Sequence, residues 1–226
     1  MSPLTIVTLD WVPDFPRGFV RDIRARWAAE EAGRPYQVET VPGAQKTEAH
    51  REIQPYQQVP AIRDGDLTLF ESGAIVLHLA EGTPLLPPDR RSEVTQWVIS
   101  ALNTVEIATG HWLLMILQRD YPEIFGPGAT DAQLAHARRG MDLRLGQLER
   151  ELDGREWLLG DQFTAGDILM ADTLRQIDHD GVLDGFPGLR AYLDRAKARP
   201  GFQRAYDAQM DHWKAADKAR AAVAAS

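Results

Sequence analysis

The sequence predicts two domains of different class: an α/β domain with the element order βαβαββα over residues 1–82, and an all-α helical bundle over 90–226. Three observations predict this. Short β-branched runs alternate with helical periodicity as far as Gly82, strand signals are missing beyond it, and the three-proline stretch Thr83 to Asp89 (TPLLPPD) reads as a stiff linker at 83–89.

Each element follows from local chemistry. Leu4 to Leu9 (LTIVTL) is a β-branched run, and Phe19, Val20, Ile23 and Trp27 then recur at helical spacing until Gly33 and Pro35 supply a stop. Tyr36 to Val41 is a second strand, and strand-helix-strand order favours a parallel pair with a right-handed crossover. A helix is expected around Thr47 to Ile53, and Val59 to Ile62 with Leu67 to Phe70 form two strands about Asp64-Gly65, a hairpin signal. Glu71 to Glu81 closes the domain as a helix.

In the second part Val94, Val98, Ala101, Val105, Ala108, Trp112 and Met115 mark one apolar face along a helix of seven or eight turns. Leu134, Ala137, Met141, Leu145, Leu148 and Leu152 repeat the pattern after the loop near Gly126 to Gly128, so two long helices should pack antiparallel. Thr164 and Asp167 can form a cap, with Phe163 against Ile168 as a hydrophobic staple. Pro187 and Pro200 each stand in a first helical turn, where a missing N–H costs little. Lys214 to Ser226 has little to pack with and is expected to fray.

Composition narrows the function. The 226 residues are 44% hydrophobic and 26% charged, an ordinary globular balance. No cysteine occurs, which removes disulfides, thiolate metal sites and a cysteine nucleophile. A net charge of -8 argues against nucleic acid or an anionic membrane as the main partner. No basic-then-apolar N-terminal run and no membrane-spanning run appear, so a cytoplasmic location is expected. The six histidines (His50, His78, His111, His136, His179, His212) show no ligand spacing, and no metal is expected. The GxSxG, GxxxxGK[ST] and GxGxxG patterns are missing, which sets aside serine hydrolases, kinases and nucleotide enzymes.

The segment Gln58 to Ser72 (QVPAIRDGDLTLFES) holds the sharpest signal. Proline cannot donate to a strand ladder, so Pro60 belongs at an edge, a strand start or a special turn. Ser72 opens a helix, where a hydroxyl and free N–H groups can either cap the helix or bind an anion.

With these features in order, the chain resembles the glutathione S-transferase family, of bacterial cytosolic type. The resemblance rests on Val59-Pro60-Ala61-Ile62, Asp64-Gly65, Leu69-Phe70-Glu71-Ser72, Ala74-Ile75 to Leu79, and Phe163-Thr164-Ala165-Gly166-Asp167. Arg26 to Gly33 with Pro35-Tyr36, and Pro187 through Phe202, match as well. It implies a thioredoxin-like first domain, glutathione as substrate or cosubstrate, a hydrophobic electrophile as second substrate, and a homodimer.

The same resemblance implies that the Val59-Pro60 bond is cis and that the freed N–H and C=O of Val59 pair with the cysteinyl backbone of glutathione, like an added strand. Glu71 and Ser72 would hold the γ-glutamyl end, Ser72 by its hydroxyl and N–H at a helix N-terminus that favours an anion. Gln58, and more weakly Gln57, would reach the glycyl end. His111 and Trp112, on the long helix, fall where the family places part of the electrophile pocket, although core packing also explains Trp112.

A transferase of this family must stabilise the glutathione thiolate, because a free thiol's pKa of about 8.5 leaves little of it at neutral pH. The usual Tyr, Ser or Cys is missing: Leu9 to Pro35 contains no Ser, Thr, Tyr, Cys or Asn. Arg17 can supply positive charge there. The N–H groups of Gly18 and Phe19, if they open the first helix, can act as an anion site. The alternative is that Arg17 is solvated and that Trp11 and Phe15 are packing. Thr8 is a distant candidate, and Asp10 and Asp14 would oppose a thiolate unless they point away. Conjugation of glutathione to an electrophile is the expected reaction, with a glutathione-dependent isomerase or lyase, or a non-catalytic binding member, as alternatives.

Overall fold

The computed structural model describes residues 3–44, 47–179 and 181–224. Contacts divide the chain into Met1–Pro87 together with Ala198–Ser226, and Pro88–Lys197. Residues 198–226, placed with the helical part by chain order, thus group with the first unit.

In that unit the elements are β1 (Leu4–Leu9), α1 (Asp22–Glu31), β2 (Tyr36–Val41), α2 (Glu48–Ile53), β3 (Ala61–Asp64), β4 (Leu67–Phe70) and α3 (Ser72–Ala80). The sheet order is β2-β1-β3-β4; β1 runs parallel to β2, β3 antiparallel to β1, and β4 antiparallel to β3. β3 begins after Pro60, two residues later than expected, because the backbone at 59–60 leaves the ladder. Ile6, Ile23, Trp27, Ile75 and Leu79 form the core between β1, α1 and α3, each aliphatic contributing about 1.5–3 kcal/mol when fully buried.

α1 starts at Asp22, not at Gly18, and residues 22–29 are buried on every face. α10 (Pro200–Ala224) lies against it and explains this all-round burial. Phe202 packs edge-on against Trp27 at 4.9 Å, Arg199 forks onto Glu31 at 2.8 and 2.7 Å, and Gln209 donates to the Val20 carbonyl at 3.0 Å. α10 remains helical to Ala224, which corrects the expectation that the chain frays from Lys214; the last two residues of that stretch lie outside the described ones. Its end is held by Asp217, which takes hydrogen bonds from Arg17 and Trp11, and by Arg220, whose guanidinium sits 4.2 Å over the Trp11 ring.

The second unit is helical: α4 (Arg91–Ser100), α5 (Glu106–Asp120), the short α6 (Pro122–Phe125), α7 (Asp131–Glu151), α8 (Ala165–Arg175) and α9 (Pro187–Lys197). α4 and α5 are one long rod interrupted by a π turn at Ala101–Val105. The wider turn inserts one residue and shifts the buried stripe: beyond it Thr109, Trp112 and Ile116 are buried, rather than the Ala108 and Met115 that strict spacing predicts. α5 packs along α7, whose Ala137, Met141, Leu145 and Leu148 are buried as expected.

The cap at α8 is built as expected. The buried Asp167 carboxylate accepts from the Leu158 N–H at 2.9 Å, the Thr164 N–H at 2.8 Å, the Thr164 hydroxyl at 2.9 Å and the Tyr192 hydroxyl at 3.0 Å. Burial pushes its pKa up while these donors pull it down. No helix among the described residues is long and apolar enough to cross a membrane.

Candidate functional site

Strand register brings three segments to one end of the sheet. The last β1–β3 pair is Val7 with Ala61, and the last β3–β4 pair is Ala61 with Phe70. One step further along lie Thr8-Leu9, Val59-Pro60 and Glu71-Ser72, on strands spaced about 4.8 Å apart. The Val59–Pro60 bond is cis, as the family resemblance implies. The Val59 side chain packs against Val7, Val41 and Ala61. Its N–H and C=O have no partner among the described residues, so an extended ligand could pair with them.

The loop that presents Val59 is fixed from below. His50 and Gln54, both 2% exposed on or beside α2, bind the two backbone groups of Gln58: His50 Nε2 to the carbonyl at 2.8 Å, and Gln54 Oε1 to the N–H at 3.1 Å. As Nε2 donates to a carbonyl, the neutral ring carries its acceptor on Nδ1, which is buried without a partner among the described residues. Gln58 itself is exposed, and Gln57 has a positive φ of 56°.

Ser72 opens α3. The first bond closing the helix runs from the Ile75 N–H to the Glu71 carbonyl at 3.0 Å, so the N–H groups of Ser72, Gly73 and Ala74 have no helical partner. Glu71 gives no side-chain cap and is exposed, and its φ of 68° with ψ of 116° lies in a region that L side chains rarely enter. Ser72 is 7% exposed, and its Oγ accepts a hydrogen bond from Arg24 Nη1 at 3.1 Å. Three free N–H groups, a hydroxyl and the positive end of a helix therefore converge on one spot.

The segment after β1 differs from expectation. Arg17 is not solvated: its Nη1 and Nη2 donate to Asp217 at 2.6 and 2.7 Å, and its Nε and Nη2 donate to the Val12 carbonyl at 3.3 and 3.0 Å. Asp14 lies 3.2 Å away and is 93% exposed. The pairing lowers the Asp217 pKa to about 2, chiefly through Arg17 and then Trp11, and raises that of Arg17. The Arg17 charge is thus offset by a carboxylate before any ligand arrives.

Gly18 and Phe19 lie in a turn ahead of α1, so no helix N-terminus is aimed from them. The Phe19 N–H is spent on the Pro16 carbonyl at 2.9 Å, whereas the Gly18 N–H has no partner among the described residues. Gly18 is required by its φ of +81° and by Tyr206 of α10, whose Cε2 would stand 2.8 Å from an added Cβ. The Tyr206 hydroxyl, without a partner among the described residues, is 3.4 Å from the same point. Thr8 Oγ1 is fully buried and has no partner among the described residues.

In the helical unit, His111 is exposed and lines a groove of about 400 Å³ between α5 and α7, with Asn103, Thr104, His136 and Arg144. Trp112 is 6% exposed and stacks on His179 at 5.5 Å, a packing position. No group of three or more His, Cys, Asp or Glu arranged to hold a metal ion occurs among the described residues.

Sequence reading missed Arg24, His50, Gln54, Asp217 and Tyr206. His50, Gln54 and Gln58 stand four apart, a spacing that could have signalled a shared support, but Asp217 and Tyr206 reach the site from about 200 residues away and leave no local trace.

Residues 17–81 match the family of the glutathione S-transferase N-terminal domain, and residues 106–200 that of its C-terminal domain. The chain is 31% identical to glutathione S-transferase F11 of Arabidopsis thaliana over 175 residues, covering 71% of this chain and 78% of the relative. It is 28% identical to glutathione S-transferase 3 of Zea mays over 225 residues, covering 90% and 93%. A glutathione transferase of Burkholderia graminis, solved with two glutathione molecules per subunit, superposes with a TM-score of 0.75 at 28% identity, over 91% of this chain and 88% of that one. With its thioredoxin-like sheet and its helical second unit, the chain belongs to the glutathione S-transferase family.

Proposed function

We propose that the protein is a glutathione transferase that binds glutathione at the open end of its sheet and adds the thiolate to a hydrophobic electrophile. The observation that carries this is the juxtaposition of the unpaired Val59 backbone with the uncapped start of α3 at Ser72. These suit the cysteinyl backbone and the γ-glutamyl carboxylate of one tripeptide. Pro60 fixes the loop, Gln58 faces the glycyl carboxylate, and Glu71 faces the γ-glutamyl ammonium. The Burkholderia graminis neighbour holds glutathione, which supports the ligand.

Thiolate stabilisation falls to the Arg17-Gly18 part of the turn, since the Phe19 N–H is spent on the Pro16 carbonyl. Within it the Gly18 N–H is the free donor, the Tyr206 hydroxyl beside it is a second, and Arg17 contributes a field already reduced by Asp217. His111, in the α5–α7 groove, is assigned to the electrophile side, whereas Trp112 packs on His179. We further place the protein in the cytoplasm as a homodimer acting without a metal.

A non-catalytic glutathione-binding member is the second reading, favoured by the paired state of Arg17. The test is glutathione binding by calorimetry, with consumption of an activated aryl halide in the same preparation. Binding with glutathione-dependent turnover supports a transferase, binding alone supports the second reading, and no binding removes both.

A further inference from the structure

We propose that Arg24 is a positioning residue for the γ-glutamyl carboxylate, acting through Ser72; this rests on the reading of Ser72 as the group that binds that carboxylate. Arg24 is 0% exposed, so it does not touch a ligand, and its Nη1 donates to Ser72 Oγ at 3.1 Å. A serine hydroxyl has one hydrogen and two acceptor sites, and a guanidinium has donors only. The hydroxyl hydrogen therefore cannot point at Arg24 and is left to point elsewhere. An anion beside the free N–H groups of Ser72, Gly73 and Ala74 is the acceptor it would meet.

Charge strengthens the same arrangement. A hydroxyl that accepts from a cation is polarised into a better donor. An anion at Ser72 meets both this hydroxyl and the positive end of α3. Arg24 thus selects for a carboxylate at the γ-glutamyl end, while contributing little to holding the rest of the tripeptide.

The test compares two ligands by calorimetry: glutathione, and the analogue in which γ-aminobutyrate replaces the γ-glutamyl residue, which lacks only the α-carboxylate. The unaltered protein should bind glutathione roughly tenfold or more tightly than the analogue, the range of one charge-assisted hydrogen bond. Arg24→Gln should weaken glutathione by about that factor, leave the analogue unchanged, and add little to Ser72→Ala; Arg24→Lys should recover part of the preference. Equal weakening of both ligands by Arg24→Gln, or a preference that survives it, overturns the proposal. An unaltered protein that does not distinguish the ligands overturns the Ser72 reading itself. Should the buried substitutions unfold the chain, the Arg24 guanidinium resonance of the unaltered protein decides: it should move with glutathione and not with the analogue, and a resonance that moves with neither or equally with both overturns the proposal.

Discussion

Asp217 accepts hydrogen bonds from both terminal nitrogens of Arg17, at 2.6 and 2.7 Å, although the two residues are 200 positions apart. The pair ties the segment after β1 to the last helix, and Trp11 joins it with a 2.8 Å bond to the same carboxylate. Arg17 is thereby a tether as much as a charge. Asp217→Ala should release the end of α10, and amide exchange over residues 214–224 should accelerate while the sheet stays protected; unchanged exchange would show that the helix end holds without the tether. Because the Asp217 carboxyl titrates near 2 in the folded chain, the tether should persist to well below pH 4.

A second carboxylate gives a pH dependence with a definite sign. Asp64, in the β3–β4 hairpin, is held by Arg34 at 2.9 Å and by His78 at 2.7 Å, and its pKa falls to about 2, first through Arg34 and then His78. A carboxyl whose folded pKa lies below its unfolded value of about 3.9 contributes stability above that value and loses it as the pH falls towards 2. Asp64→Asn should flatten the acid limb of the stability curve by at most about 2 kcal/mol, less for solvent screening of the half-exposed Arg34. Thermal melts between pH 5 and pH 2 in roughly half-unit steps read it out; parallel curves for the two proteins would contradict it.

The start of α3 separates ligand binding from folding. Ser72→Ala should weaken glutathione about tenfold with little change in melting temperature. Glu71→Gly should leave the melting temperature unchanged or raise it, since glycine adopts the positive φ freely and relief of roughly 1–3 kcal/mol of backbone strain offsets its chain entropy. A lowered melting temperature in Glu71→Gly would mean the conformation is not costly for glutamate.

Gly18 is held by shape. Gly18→Ala places a Cβ 2.8 Å from the Tyr206 ring at a φ of +81°, and the melting temperature should fall by roughly 3–10 °C. Adding Tyr206→Ala should remove the collision but not the backbone strain, so part of the loss should remain. An unaltered melting temperature in the single variant would contradict the packing of α10 on this turn.

The sheet, the hairpin about Gly65, the cap at Asp167, the cis turn at Val59-Pro60 and the helix start at Ser72 are legible because each is written within a few residues of itself. The stripe beyond Val105 departs from strict spacing because a π turn adds one residue, which spacing alone does not reveal. From its neighbours in sequence Arg17 reads as a free or a solvated charge, whereas its partner, Asp217, sits on a helix end that reads as frayed. Arg24 was hidden in another way: α1 is covered on all sides, so an arginine on its supposed outer face is as buried as Ile23. Long-range partners decide the charge of this site, and periodicity does not report them.

Glutathione bound to this chain should carry a thiol of lowered pKa although the usual side chain near β1 is missing. A spectroscopic titration of the thiol in the bound complex, following thiolate absorbance against pH, measures this. The midpoint should lie below the free-thiol value of about 8.5, be preserved in large part in Arg17→Ala and rise in Tyr206→Phe. A bound thiol that titrates at the free value would contradict it.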